Sequence, residues 1–316
     1  MRRLLQEAGA PPGLLNVVHG DREMVGAILA EPAIKAVSFV GSSDVAQHIY
    51  VTAAAAGKRV QAMGGAKNHG VVLPDADLDQ AVAAIVGAAF GSAGERCMAL
   101  PVVVAVGEDT AVTLRQRLIA AIRLLRVGAP EDPDADYGPV VTAAHRERIE
   151  RHIATGIAEG AELVMDGRGL RVPGRERGFF LGPTLFDHVR VGMRSYQEEI
   201  FGPVLQMLRV DTLEEAIGLV SAHPFGNGVA LFTRSGESAR RFADQVEVGM
   251  VGINVPIPVP VAQHGFGGWK RSAFGDLNQY GTDSIRFFTR TKIVTQRWSG
   301  SAVPGSAFVI PTGKAE

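Results

Sequence analysis

The sequence predicts an α/β protein built on a mainly parallel, doubly wound sheet. Three observations carry this. Short β-rich runs alternate with longer stretches of helical period, they recur as β–α–β units, and glycine is abundant at 38 of 316 residues. Parallel strands need helical crossovers, and tight strand-to-helix turns favour glycine.

In chain order, Leu14–Val18 reads as a strand and Asp21–Ala30 as a helix. Ala36–Val40 is a strand, followed by a helix over Ser43–Ala56 with Val45, Ile49 and Ala53 on one face. Arg59–Met63 and Gly70–Leu73 are the next strands. Asp75 is the expected N-cap of a helix carrying Leu78, Val82, Ile85 and Ala89. Pro101–Val106 is a strand, Thr110–Leu125 a helix, and Thr142–Glu159 a helix with Ile149, Ile153 and Ile157 in register. The charged run HRERIERH on that last helix reads as a solvated face. Asp166–Gly178 reads as a loop. Thr212 with Glu215 forms a capping box, and Ser235 caps a helix reaching Val246.

Composition removes several function classes. Lys and Arg total 32 against 33 Asp and Glu, a net charge of −1, so no global basic field would hold the chain on nucleic acid or an anionic membrane. The single cysteine, Cys97, excludes an internal disulfide framework and any multi-cysteine metal site. No histidine spacing suggests a metal. His69, His223 and His264 read as structural or surface groups. The uncharged stretches Ala81–Gly94 and Val248–Gln263 are too short to span a bilayer. With no signal-peptide pattern at the first residues, a cytoplasmic location is expected.

Three segments hold residue types suited to chemistry. FGSAGERCMAL (Phe90–Leu100) puts Cys97 after a small-residue turn and beside Arg96, where a guanidinium would favour the thiolate. A buried, inert cysteine is the competing reading. SFVGSSD (Ser38–Asp44) runs from strand through Gly41 and Ser42 into a helix, which suits a phosphate or an ordinary N-cap. QEEIFGPV (Gln197–Val204) carries Glu198 and Glu199, usable as acid, base or ribose ligand, or simply facing solvent.

In this order the pieces resemble the aldehyde dehydrogenase superfamily. They are FVGSSDVAQHI, AMGGAKNH, FGSAGERCMA, GPTLF, EEIFGPVLQ, PFGNGVALFT, GINVPIPVP and HGFGGWKRSAFGDLNQYG, and they run from about Leu4 to Arg297. AKNH, GERCMAL, VPIPVP and GGWKRSAFGDLNQYG are similar to the methylmalonate-semialdehyde dehydrogenase branch, which acylates coenzyme A. The resemblance implies a partial Rossmann-type cofactor domain over residues 1–65 and an α/β catalytic domain over 66–283. It further implies an oligomerisation strand over 284–298 and a tail over 299–316, in a homodimer or homotetramer.

By the same resemblance, Cys97 is the nucleophile and Arg96 holds the substrate carboxylate. Gly41 and Ser42 meet the pyrophosphate of NAD, Gly64 lines the cofactor, Glu199 binds the nicotinamide ribose, and Phe201 is the neighbouring aromatic. Hydrolytic relatives place a water-activating glutamate where this chain has Ala62. The implied substrate is a small semialdehyde bearing a carboxylate, with coenzyme A as acyl acceptor and carbon dioxide as a product. The family's Pro-Trp-Asn and Lys-Pro-Ser-Glu segments have no counterpart, so a truncated, catalytically impaired remnant acting as a subunit partner is the alternative expectation. A start mis-assigned at Met1 is another.

Overall fold

Apolar runs become strands where neighbours complete their backbone ladders, and the computed structural model describes residues 2–296 and 298. Helices α1 (Arg2–Glu7) and α2 (Arg22–Ala30) precede β1 (Ala36–Val40), α3 (Ser43–Ala55) and β2 (Arg59–Met63). β1 and β2 pair in parallel, a right-sized βαβ step. Leu29, Ile49 and Ala53 form a small core against Val37, Phe39 and Val60. Lys58 closes it underneath, its Nζ donating to Ile34 O at 2.9 Å.

The larger unit follows. Its elements are β3 (His69–Val72), α4 (Leu78–Phe90), β4 (Val102–Val106), α5 (Glu108–Ile122), α6 (Ala143–Ala158), β5 (Glu162–Met165), β6 (Thr184–Asp187), α7 (Arg194–Gln197) and β7 (Val204–Val210). Then come α8 (Leu213–Ala222), β8 (Phe225–Gly226), β9 (Gly228–Phe232), α9 (Gly236–Gln245) and β10 (Met250–Ile253). The chain closes with β11 (Trp269–Lys270), β12 (Ala273–Phe274) and α10 (Gly281–Phe288). The seven-stranded sheet has order β10-β9-β3-β4-β7-β6-β5, parallel throughout except for β5 against β6. All of β4 is buried, which is why VVVAV reads as an unbroken apolar run rather than an alternating one.

Three expectations need correction. Leu14–Val18 forms no strand: Leu14, Val17 and Val18 are 57–68% exposed, and no ladder partner engages them among the described residues. The N-cap of α4 is Asp77, which accepts the Asp79 and Gln80 N–H groups. Asp75 instead accepts Thr233 Oγ1 and Arg234 N–H at 2.9 Å, joining the ends of β3 and β9. Ile157 is 40% exposed, because the buried stripe of α6 has rotated away by that turn.

The carboxy-terminal part of the chain also contributes to the small sheet. β12 lies antiparallel on β2, and Arg59 Nη1 donates to Thr289 O at 2.6 Å. β12 thereby covers the edge of β2 that β1 leaves open. Of the 284–298 segment expected to form an oligomerisation strand, residues 284–288 lie in α10 and 289–296 form no ladder within this single chain. The expected tail at 299–316 lies outside the described residues.

Candidate active site

Three chain reversals meet at the amino-terminal ends of the large sheet's central strands. One runs from β2 through Gly64–Asn68 into β3. The second runs from α4 through Gly91–Gly94 and Cys97 into β4. The third runs from α7 through Glu199–Gly202 into β7. Ala66, Arg96, Cys97, Glu199 and Phe201 line one cleft between them.

The second reversal is strained. Ser92, Ala93 and Gly94 have φ of 54°, 55° and 70°, a run of left-handed residues that L side chains disfavour by about 1–2 kcal/mol each. Close packing over-determines it. A Cβ on Gly94 would lie 2.2 Å from Gly202 O, so only glycine lets this turn press on the Phe201–Gly202 turn. Phe201 is itself left-handed, with φ of 56°. Strain of this kind persists where surrounding structure holds it, and active sites are common among such places.

Cys97 is exposed, against the habit of free cysteines. Its backbone is fixed from below: Cys97 O accepts Asn68 Nδ2 at 3.0 Å and Asn227 Nδ2 at 3.1 Å. Asn68 also donates to Ala99 O at 2.8 Å and accepts Gly228 N–H at 2.9 Å, using its whole amide on backbone. Arg96 turns back over the glycine preceding the strained turn. Its Nε donates to Ser92 Oγ at 3.2 Å, and a Cβ on Gly91 would fall within 2.7 Å of Nη1.

On the facing wall, Glu199 Oε1 accepts Ala66 N–H at 2.9 Å. Burial pushes the Glu199 carboxyl above its ordinary range, opposed by that hydrogen bond and by Lys67 and Arg148. Lys67 is buried behind it and donates to Ser195 O and Glu198 O, both at 2.8 Å. Burial brings the Lys67 ammonium down to about 7, against the pull of Glu199 and Glu198. Glu198 points the other way, into a 3.0 Å pair with Arg194.

The small sheet presents its carboxyl ends to the same region. Ser42 occupies the N-cap of α3 without capping it by its side chain. Ser43 does the structural work: its Oγ donates to Arg271 O at 2.7 Å and accepts Gly65 N–H at 2.9 Å. Ser272 Oγ donates to Gly65 O at 2.7 Å, so both flanks of the Gly64–Gly65 turn are tied.

The aldehyde dehydrogenase family model matches residues 1–294. A malonate-semialdehyde dehydrogenase of Pseudomonas aeruginosa is 56% identical over 310 residues, covering 98% of this chain and 62% of that protein. The chain belongs to the aldehyde dehydrogenase family. A Drosophila melanogaster protein, described by name as a mitochondrial methylmalonate-semialdehyde/malonate-semialdehyde dehydrogenase, acylating, is 48% identical and covered over 60% of its length. A Sinorhizobium meliloti structure described as a methylmalonate-semialdehyde dehydrogenase complexed with NAD superposes with TM-score 0.94 at 55% identity, covering 96% of this chain and 61% of that one. A Staphylococcus aureus betaine aldehyde dehydrogenase in complex with NAD+ gives TM-score 0.86 at 29% identity, over 90% and 56%. This chain thus spans about three fifths of the length of the curated relatives it matches.

Within this aldehyde dehydrogenase chain, Arg96, Cys97, Glu199 and Phe201 share the cleft. Gly41, Ser42 and Gly64 lie at the ends of β1 and β2, outside its lining but joined to it where Gly65 underlies Glu199. Sequence reasoning missed Asn68 and Asn227, although AKNH and PFGNG place an amide beside each relevant turn. HRERIERH reads as a solvated face, yet His145 Nε2 lies 2.7 Å from Phe201 O. His69 and His223 are structural as expected: His69 Nε2 sits 2.9 Å from Tyr196 Oη, and burial lowers His223 to about 4.

Proposed function

We propose that this chain carries the thiol chemistry of an NAD-dependent, coenzyme A-acylating oxidation of malonate or methylmalonate semialdehyde. The observation that carries it is the single cleft into which Cys97 and Arg96 both open. Ala62, which the resemblance aligns with the water-activating glutamate of hydrolytic relatives, is fully buried in β2 and outside that lining. The names of the Pseudomonas aeruginosa and Drosophila melanogaster relatives support the substrate class, and the latter's supports acylation.

The residues present fit NAD. Ser42 keeps its hydroxyl off the helix it caps, which leaves that hydroxyl and the first N–H groups of the 13-residue α3 for a pyrophosphate. Glu199, lying on Gly65, would take the ribose hydroxyls, with Phe201 beside it. NAD, when bound, supplies the hydride acceptor.

Arg96 receives the substrate carboxylate in a charge-assisted pair. The Cys97 thiol gives up its proton and Sγ bonds the aldehyde carbon, forming a hemithioacetal. Loss of hydride from that carbon leaves a thioester on Cys97. The substrate's carboxylate then leaves as carbon dioxide, its bonding pair passing into the thioester enolate, which takes a proton. The thiol of coenzyme A attacks the thioester carbonyl, the bond to Sγ breaks, and Cys97 is restored. With no base at position 62 to activate water, the thioester waits for this thiol.

The reading extends to assembly: Ile285, Phe288, Ile293 and Val294 are 65–88% exposed and meet a second copy in a homodimer or homotetramer. It places the chain in the cytoplasm. Mass spectrometry after incubation with semialdehyde and NAD, without coenzyme A, tests the chemistry. An acyl adduct on the Cys97 peptide, discharged by adding coenzyme A, is expected. An adduct elsewhere, or none in folded protein, contradicts it.

A further inference from the structure

The cleft's two walls, the strained Cys97 turn and the Phe201 turn, belong to segments about a hundred residues apart in the sequence, and one imidazole touches both. His145 lies in the first turn of α6, its N–H donating to the Thr142 hydroxyl at 3.1 Å. Its Nε2 is 2.7 Å from Phe201 O and 3.1 Å from Glu95 Oε1. Both partners are acceptors, so Nε2 must carry the proton and shares it between them. The Glu95 carboxylate, two residues before Cys97, also accepts Val141 N–H at 3.2 Å. The His145 and Glu95 side chains are only 11% and 14% exposed, so water does not readily substitute for either.

We propose that His145 is a positioning residue, with Glu95 as its partner: it clamps the nucleophile turn to the Phe201 turn and so fixes the width of the cleft. The clamp is needed because both turns are left-handed and would relax if released. Gly94 approaches Gly202 closely backbone to backbone, and the ladder that joins β4 to β7 begins only at Pro101 O and Gln206 N–H, beyond both turns. The Glu95–His145 pair ties the turns themselves together ahead of that ladder. The inference rests on the reading of Cys97 as the nucleophile, since the clamp acts through the placement of its turn.

The test uses His145→Leu, His145→Gln and Glu95→Gln in the full chain, with folding checked by thermal melts. Glutamine carries an amide N–H that reaches where Nε2 lies, whereas leucine fills space without donating. Hydrogen exchange followed by mass spectrometry should show His145→Leu raising exchange about tenfold in the peptides bearing both Glu95–Met98 and Phe201–Gly202, with His145→Gln restoring it in both. Acyl-enzyme formation in His145→Leu should slow by about tenfold or more with KM nearly unchanged, since displacement of ~1 Å at a nucleophile can cost ~100-fold. Adding Glu95→Gln to His145→Leu should cost little more, because both remove one clamp. Parental exchange in both peptides of a folded His145→Leu protein overturns the clamp, as does a response confined to α6 or equal behaviour of leucine and glutamine. The exchange measurement needs no substrate, so it separates failure of the clamp from failure of the proposed reaction.

Discussion

The Glu199 carboxylate rests directly on Gly65. Its Oε1 accepts the next residue's N–H at 2.9 Å, and a Cβ on Gly65 would come within 2.5 Å of Oε2. This relationship joins the turn that ends the small sheet to the wall of the thiol cleft, and it makes a glycine part of the site's shape.

Gly65→Ala should therefore push Glu199 out of register while leaving its charge intact. We expect NAD affinity to fall by about tenfold, with a stability loss of about 1–3 kcal/mol from overpacking. Isothermal titration with NAD, alongside urea unfolding, reads both. Unchanged affinity would show that Glu199's position does not matter to the cofactor.

Arg96→Ala should damage semialdehydes bearing a carboxylate far more than simple aldehydes. Gly91→Ala tests the same pairing indirectly, since the new methyl would displace the guanidinium lying within 2.7–2.8 Å. We expect kcat/KM for the semialdehyde to fall ~10-fold or more beyond that for a plain aldehyde, the scale of a lost charge-assisted hydrogen bond. Equal losses on both substrates would remove the carboxylate role.

Asn68→Ala should destabilise the chain by about 3 kcal/mol. It would leave the Cys97 and Ala99 carbonyls and the Gly228 N–H without this partner in a buried setting, and such groups cost about 1–3 kcal/mol each before relaxation. Urea unfolding measures it. A loss below ~1 kcal/mol would mean the amide is not what fixes the Cys97 backbone.

Lys67 predicts a pH signature. Burial lowers it from 10.5 to about 7, so between those values the unfolded chain binds more protons than the folded one. Stability from this group therefore rises as pH climbs through that window, and below about 7 the folded chain bears the cost of a buried charge. Against Lys67→Met, the parent should gain in relative stability from pH 7 to 10. A pH-independent difference between the two would contradict the shift.

Much of this was legible in the sequence because it is local. Helical period and caps locate α3, α6, α8 and α9, and short β-rich apolar runs locate β1 through β4. Cys97, Arg96, Glu199 and Phe201 sit in short motifs whose order is itself informative. What the sequence hides is what distant segments decide. Asp75 and Asp77 are equivalent as N-caps until β9 claims Asp75. SAF at 272–274 has no strand pattern of its own and pairs because β2 offers an edge. His145 looks like one more charged residue of a solvated helix, and only the fold brings Phe201 O to it. Leu14–Val18 shows the reverse error, strand propensity without a ladder.

The central claim is that Cys97 forms a thioester which coenzyme A, not water, resolves. NADH production with methylmalonate semialdehyde and NAD, run with and without coenzyme A on this chain and on Cys97→Ala, tests it most directly. The account predicts sustained turnover only with coenzyme A and none in the variant. NADH from Cys97→Ala, equal turnover without coenzyme A, or silence from the folded parent chain would contradict it.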